Sequence, residues 1–364
     1  MNRNLLAVAT AAAIAGPGAA FADTTIYGKF DLGLEDQKFE QTLGGDAAAT
    51  VLKDTWKFKD NNNSSRLGVK GSMDLGIDGL TAIYQLEYGI DPAGTESGPF
   101  SERDIFAGLQ GGYGTVKFGK INTLVKSTTS KADFFDDQSI GDDQHLLAGE
   151  TRVNNTIIYS TPKLLDGLTL SAQIVPGQGR TAADDATKQD RGLADTFYAS
   201  AVWDSKLFYG SVSYGYHETK ASGSSGMKFD DGGLGVAYNI VRGAVYTSPV
   251  AGLELSALLQ QVKGVDVKGG AANVANASEY QETSWFLGAA YSIRQLRLKT
   301  QFGQDKGDHT GVKRDDISLG ADYKLGKALV AQVYFIQYED KDRTVGGITD
   351  PKARASGVGL QYSF

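Results

Sequence analysis

The sequence contains no cysteine, so no disulfide can staple the chain and no thiolate can hold zinc. Histidine is almost as scarce. His145, His217 and His309 are scattered, without the spacing of paired metal ligands, and a lone histidine in a polar stretch is far more often solvated than catalytic. No Asp-x-Asp-x-Asp-Gly loop occurs, so Asp184-Asp185, Asp230-Asp231 and Asp60-Asn61-Asn62-Asn63 read as solvated loops rather than calcium sites. Lysine and arginine never gather into a basic run, and with a net charge of -7 and a pI near 5.1 the chain is not expected to bind nucleic acid. Long apolar runs are also missing. The run from Leu5 to Ile14 is too short to span a bilayer, and nothing later approaches the roughly 18 residues that a membrane helix needs. No enzyme activity, cofactor or metal is expected.

What the chain has in quantity is glycine, tyrosine and phenylalanine, 46, 17 and 16 residues against only 7 prolines. That balance suits many strands joined by tight turns. The beginning is different: Arg3, the apolar run after it, and Ala20-Phe21-Ala22 form a secretory leader with a small-x-small cleavage site. Residues 1–22 are therefore expected to be a signal peptide, and 23–364 one mature domain starting at Asp23.

From Asp23 to Phe364 the strand signal recurs with no change of composition to mark a second domain. Ile26, Phe30, Leu32 and Leu34 share one face while Lys29 and Asp31 share the other, and Leu80, Ala82, Tyr84, Leu86 and Tyr88 oppose Thr81, Gln85 and Glu87. A soluble sandwich could alternate in this way. Two details favour a membrane barrel. The apolar faces carry aromatics near their ends, among them Trp203, Tyr216, Tyr291, Tyr323, Tyr362 and Phe364, as in the girdles of outer-membrane barrels. The other faces carry rows such as Arg297, Lys299 and Gln301, which a dry core could not take without stranding charge.

The runs count to about sixteen, including 23–36, 64–76, 79–91, 229–240 and 355–364, an even number as single-chain bacterial barrels require. Residues 241–251 are the weak point, where an additional pair would make eighteen. Short turns such as Ile77-Asp78-Gly79 alternate with long polar links at 37–63, 178–194, 264–282 and 341–354. The final strand, with Val358, Leu360, Tyr362 and Phe364 on one face, is expected to pair with the first and remove the open edge. The fold expected is therefore all-β, a transmembrane antiparallel barrel.

One stretch breaks the rhythm. Residues 121–150 hold Asp133, Asp136, Asp137, Asp142, Asp143 and Glu150 against Lys126 and Lys131, and links of this length are usually functional or disordered. It is either a solvated acidic loop or a segment folded into the barrel to narrow it.

Taken together, the motifs resemble those of the general diffusion porins of Gram-negative outer membranes over essentially the whole mature chain. They are Thr-Ile-Tyr-Gly-Lys (25–29), Ser-Arg-Leu-Gly-Val-Lys-Gly (65–71), Glu-Arg-Asp-Ile-Phe-Ala-Gly-Leu (102–109), Gly-Thr-Val-Lys-Phe-Gly-Lys (114–120), Arg-Val-Asn-Asn-Thr-Ile-Ile-Tyr-Ser-Thr-Pro (152–162) and the terminal Phe364. The resemblance implies homotrimers of sixteen-stranded barrels in outer-membrane lipid, with the third long loop folded inward. It also implies a basic wall opposite that loop, for which Lys29, Arg66, Arg103 and Arg152 stand at the matching positions. Alternation alone adds Lys70 and Lys117. The loop departs from the enteric pattern, having Phe134-Phe135-Asp136-Asp137 roughly where a Pro-Glu-Phe-Gly-Gly turn would stand.

The function this implies is a water-filled channel in the outer membrane for passive diffusion of small hydrophilic solutes and ions. A substrate-specific channel for a sugar or anion, a barrel enzyme, and a barrel serving as a surface-binding or structural protein are the alternatives. The ion preference, pore radius and natural solute are not written in the sequence.

Overall fold

A computed structural model describes residues 23–43, 50–60, 64–94, 98–129, 131–177, 192–194, 196–218, 237–265, 279–308, 311–342, 344–345 and 348–364. The leader expected at 1–22 lies outside these residues, as do His309, the pairs Asp184-Asp185 and Asp230-Asp231, and 61–63. The side chains of Asp143 and His217 are likewise outside the described set.

Antiparallel strand segments form one closed sheet. β1 (Asp23–Leu43) is long enough to serve two neighbours on one side: its outer half pairs with β2 (Thr50–Asp60) and its first seven residues with β3 (Arg66–Asp74). β2 and β3 are thus two parts of one stave. β4 (Thr81–Ile90), β5 (Phe100–Gly111), β6 (Gly114–Asn122), β7 (Arg152–Ser160), β8 (Leu168–Val175) and β9 (Thr196–Asp204) follow in order. Then come β10 (Phe208–Glu218), β11 (Ala237–Thr247), β12 (Leu253–Val265), β13 (Gln281–Ile293), β14 (Leu296–Gly307), β15 (Lys313–Lys324) and β16 (Leu329–Lys341). The two-residue β17 (Thr344–Val345) folds against β18 (Ile348–Ser363), which pairs with β16 and, on its other edge, with β1. Counting β2 with β3 and β17 with β18, the barrel has sixteen staves.

Closure runs to the last residue. Gly28 N–H donates to the Phe364 carbonyl at 3.0 Å and Phe364 N–H to the Gly28 carbonyl at 3.1 Å. The Phe364 ring lies over Gly28, where a Cβ would sit 2.4 Å from it, and stacks on Phe30 at 6.3 Å. No backbone edge is left open at this seam, a condition for any sheet exposed to lipid.

Outward side chains are the apolar set that alternation identified: Leu34, Leu67, Leu86, Phe118, Leu298, Val358 and Leu360 are all exposed. Trp203, Tyr216, Tyr291, Tyr323, Tyr362 and Phe364 are exposed as well. In a soluble protein such a surface would aggregate; around a barrel it is the lipid-facing band with its aromatic borders.

Three expectations need correction. The link 37–63 is mostly strand, because β1 runs on to Leu43 and β2 begins at Thr50. The end of β1 is hidden because Asp36, Lys38 and Glu40 follow Leu34 on its outward face, whereas β2 keeps the alternation, with Trp56 and Phe58 exposed between Thr55, Lys57 and Lys59. The link 341–354 is likewise taken up largely by β17 and the start of β18. Of the strand expected at 229–240, residues 229–236 lie outside the described residues; the described strand is β11 at Ala237–Thr247, so 241–247 belongs to the tenth stave and adds no extra pair. The reason is visible in its side chains: Val241 and Val245 point out to the band while Ile240 and Ala244 are buried inside, so both faces are apolar and the period of two disappears.

Candidate functional site

The buried apolar residues lie inside the barrel, between the wall and the segment 121–150, and this is what positions the site. One cluster joins Ile121, Leu124, Val125 and Ala148 to Tyr198, Tyr238, Ile240 and Val262; another joins Phe134, Phe135 and Ile140 to Ala290, Tyr334 and Ile336; a third joins Leu146 and Leu147 to Ala244, Leu258 and Phe286. The segment therefore lies along the inner wall from β8 round to β16. It is a packed element and not a solvated loop.

Its polar groups are fixed just as closely. A short helix, α1 (Leu124–Ser127), is capped by the Thr123 hydroxyl accepting from Lys126 N–H at 3.1 Å. Leu124 N–H donates to Gln173 of β8 at 2.8 Å, Tyr209 and Ser211 of β10 donate to the Thr128 carbonyl at 2.8 and 3.0 Å, and Phe134 N–H donates to Gln301 of β14 at 3.1 Å. Arg314 of β15 forks onto Asp340 at 2.5 and 2.9 Å and donates to the His145 carbonyl at 2.9 Å. The His145 backbone is thereby tied into a brace with Arg314 and Asp340.

Arg242 of β11 is the tightest anchor. It is 1% exposed and donates to the Val125 carbonyl at 3.2 Å, the Ala148 carbonyl at 2.6 Å and Gln260 at 2.6 and 2.9 Å. It also pairs with Glu150 and bonds Thr129. Lys126 reaches the same Glu150 carboxylate at 3.4 Å.

The six acids named from sequence are accordingly divided. Glu150 is buried in the anchor. Asp142 accepts from Asp137 N–H at 3.0 Å and Gln144 N–H at 2.9 Å, and Asp133 accepts from Phe135 N–H at 2.7 Å, so both shape turns. Asp137 crosses to the opposite wall and meets Lys29 of β1 at 2.7 Å and Arg66 of β3 at 2.6 Å. Asp136, beside it, is exposed to the lumen.

On that wall each upper cation has a carboxylate. Lys29 also approaches Asp31 at 3.4 Å, Arg103 of β5 holds Glu87 of β4 at 2.6 Å, and Arg152 of β7 holds Asp104 of β5 at 2.9 Å. Lys70 and Lys117 are placed otherwise, nearer the short turns, over the rings of Tyr27 at 5.0 Å and Phe106 at 4.5 Å. Sequence reasoning named the cations but did not assign their partners Glu87 and Asp104. It also passed over Arg242, Arg314 and Gln173, and read Gln301 only as one of an inward polar row. Their signal was weak: a single long polar residue at an inward position is ordinary in a barrel, and only the docked segment makes it an anchor.

The loop carboxyls differ in charge state. Burial alone would push Asp137 up, but Lys29 and Arg66 outweigh it and hold it below the usual range. Enclosure, then the like charges of Asp137 and Asp142, push Asp136 up to about 7. Since Asp136 itself opens to lumen water, the adjacent carboxylates are the firmer cause. Burial, then Asp136 and Asp142, raise Asp133 well above its ordinary value. Oxygens of Asp136, Asp137 and Asp142 lie within 4.8 Å of one another, close enough for a cation. Two wall cations engage Asp137 and two backbone N–H groups engage Asp142, which is the bonding of a turn and gives no metal assignment.

A pH effect follows from Asp136. Below about 7 it is neutral and above it is an anion, so the preference for cations should rise through that pH. One unit charge 4–8 Å from a passing ion in water is worth roughly 0.5–1 kcal/mol, about a two- to fivefold change in relative permeability. Reversal potentials measured at pH 5.5 and 8.5, roughly 1.5 units either side of the titration, check it: Asp136→Asn should flatten the difference, and an unaltered difference in that variant would assign the titration elsewhere.

A model of the Gram-negative porin family matches residues 9–343. Among curated relatives, major outer membrane protein P.IB of Neisseria sicca is 25% identical over 381 residues, and that of Neisseria meningitidis serogroup A 27% over 384, each alignment covering 100% of both chains. Among solved structures, an anion-selective porin from Comamonas acidovorans superposes with a TM-score of 0.71 at 20% identity, covering 94% of this chain and 100% of that one. OmpF of Salmonella typhi, in complex with daunomycin, gives 0.62 at 17%, covering 94% and 97%. The structural likenesses establish the fold, and the family match extends it to function. A closed barrel with a polar interior, an apolar outer band and this match together place the chain in the Gram-negative porin family, as an outer-membrane channel for passive diffusion of small hydrophilic solutes and ions.

Proposed function

We propose that the narrowest part of the pathway lies between the 121–150 segment and the wall carrying Lys29, Arg66, Arg103 and Arg152, and that three such barrels assemble as a homotrimer. The observation that carries this reading is the contact of Asp137 with Lys29 and Arg66. There the inward segment spans the lumen and touches the opposite wall, leaving solutes to pass between Asp136 and Lys126 on one side and Arg103 and Arg152 on the other. The Asp136 carboxyl on one side and guanidinium groups on the other set up a field across the path, which orients dipolar solutes and disfavours apolar ones that would displace ordered water. Weak interactions suffice, since tight binding would slow exit.

The trimer is supported by the family and by a structural neighbour, OmpT of Vibrio cholerae, solved in a trimer form, rather than by any contact in the chain itself. Planar-bilayer recording tests both parts. Large, ligand-independent conductance steps that close in three equal sublevels are expected. Single-level closures would remove the trimer, and a silent membrane would remove the open pathway.

A further inference from the structure

On the wall formed by β1 and β3 to β7, the cations fall into two groups. Those near the inward segment each meet a carboxylate, as described above. Those nearer the short turns, Lys70 and Lys117, make no ion pair among the described residues; their ammonium groups rest on aromatic rings. Both side chains open into the same recess of about 450 Å³. Hydroxyls of Ser72 and Thr115 line it, and so do Ile83 and Phe106, two inward apolar side chains in a face that is otherwise polar. Asp23, at the first residue of β1, is the one carboxylate in the lining and stands at the short-turn rim.

We propose that this recess is a weak binding site for a small organic anion: a carboxylate held by Lys70, Lys117 and the hydroxyls, with an apolar body resting on Ile83 and Phe106. The reasoning is that an ammonium group without a carboxylate keeps its charge available to a solute, whereas Arg66, Arg103 and Arg152 have theirs offset by Asp137, Glu87 and Asp104. A purely inorganic ion would gain nothing from Ile83 and Phe106. In a barrel inserted with its short turns toward the periplasm, the site lies on the exit side of the constriction, where an incoming anion would pause after the narrow step. The inference rests on the open pathway proposed above.

The test is block of the potassium chloride current through the reconstituted full-length channel by benzoate, with acetate and inorganic phosphate as comparison probes. Saturable block by benzoate in the millimolar range is expected, stronger than by acetate or phosphate. The association rate read from current noise should be higher when benzoate is added on the short-turn side. Lys70→Gln with Lys117→Gln should weaken the block at least about tenfold, and arginine at both positions should restore it. Equal block by all three anions overturns the apolar part of the site. Equal or faster entry from the long-loop side in the unmodified channel, or block lost in Arg66→Gln and retained in the double lysine variant, places the anion elsewhere and overturns the proposal. Absence of current would reject the pathway itself, whereas current without benzoate block rejects only the site.

Discussion

Replacing Arg242 with methionine will loosen the inward segment and destabilise the folded protein by about 3 kcal/mol or more, the scale for breaking one partner of a buried ion pair. The loss is large because the guanidinium satisfies several groups at once. Glu150, Thr129, the Val125 and Ala148 carbonyls and Gln260 all bond to it, and Lys126 remains as the only other cation on Glu150 among the described residues. Burial alone would push the Glu150 carboxyl up, but Arg242 and then Lys126 outweigh it and hold it below its ordinary 4.5. Its contribution to stability is therefore complete above that value and is lost only as pH falls through the depressed one. Thermal unfolding in detergent should show the drop at neutral pH, and bilayer traces should show noisier current as the segment leaves the wall. The double variant Arg242→Met with Glu150→Leu, which removes both charges, should recover much of the stability. A single variant as stable and as quiet as the parent would mean that the apolar clusters hold the segment without this pair.

Replacing both Arg66 and Arg152 with glutamine will move the permeability ratio toward cations by about fivefold, taking roughly 0.5 kcal/mol for each charge a few ångströms from the path in water. The sign follows from their partners. Arg152 leaves Asp104 unneutralised, and Arg66 leaves Asp137 with Lys29 alone, so negative charge is exposed where positive charge was removed. The reversal potential in a potassium chloride gradient reads this directly, and the shift should be largest near 0.1 M, where the screening length is about 10 Å. An unchanged reversal potential in a folded double variant would make the two arginines braces of the wall and not part of the path.

The barrel was legible because its outer face obeys one rule along most strands. Leu296, Leu298 and Phe302 facing lipid against Arg297, Lys299 and Gln301 inside is a pattern of period two that needs no tertiary knowledge. It failed at β11, where the docked segment turns the inner face apolar with Ile240 and Ala244. It failed also at the end of β1, where Asp36, Lys38 and Glu40 make the outward face polar beyond Leu34. The candidate site was half legible for a related reason. Charges such as Lys29, Arg66 and Arg152 are fixed by strand parity, so their side of the sheet can be read from spacing. The acids of 121–150 sit on irregular backbone: Asp137 adopts a positive φ of 65° and Ser139 one of 50°, and no periodicity tells which carboxylate crosses the lumen and which caps a turn. Only packing does. Phe134 seats against Gly288, and Phe135 against Gly320 with the Lys299 ammonium over its ring, and these contacts aim Asp137 at β1 and β3.

The seam between β1 and β18 has a kinetic consequence. The two strands that close the ring are the first and last of the described strands, with Lys29 opposite Ser363 and Phe30 opposite Tyr362, so the pairing of greatest sequence separation must form before the sheet has no free edge. Contacts of such high contact order are slow to form, because loop-closure entropy is lost before they reward it. The last bonds of the seam are the pair between Gly28 and Phe364. Until that seam closes, the sheet carries two unpaired edges, which are open to pairing with other chains.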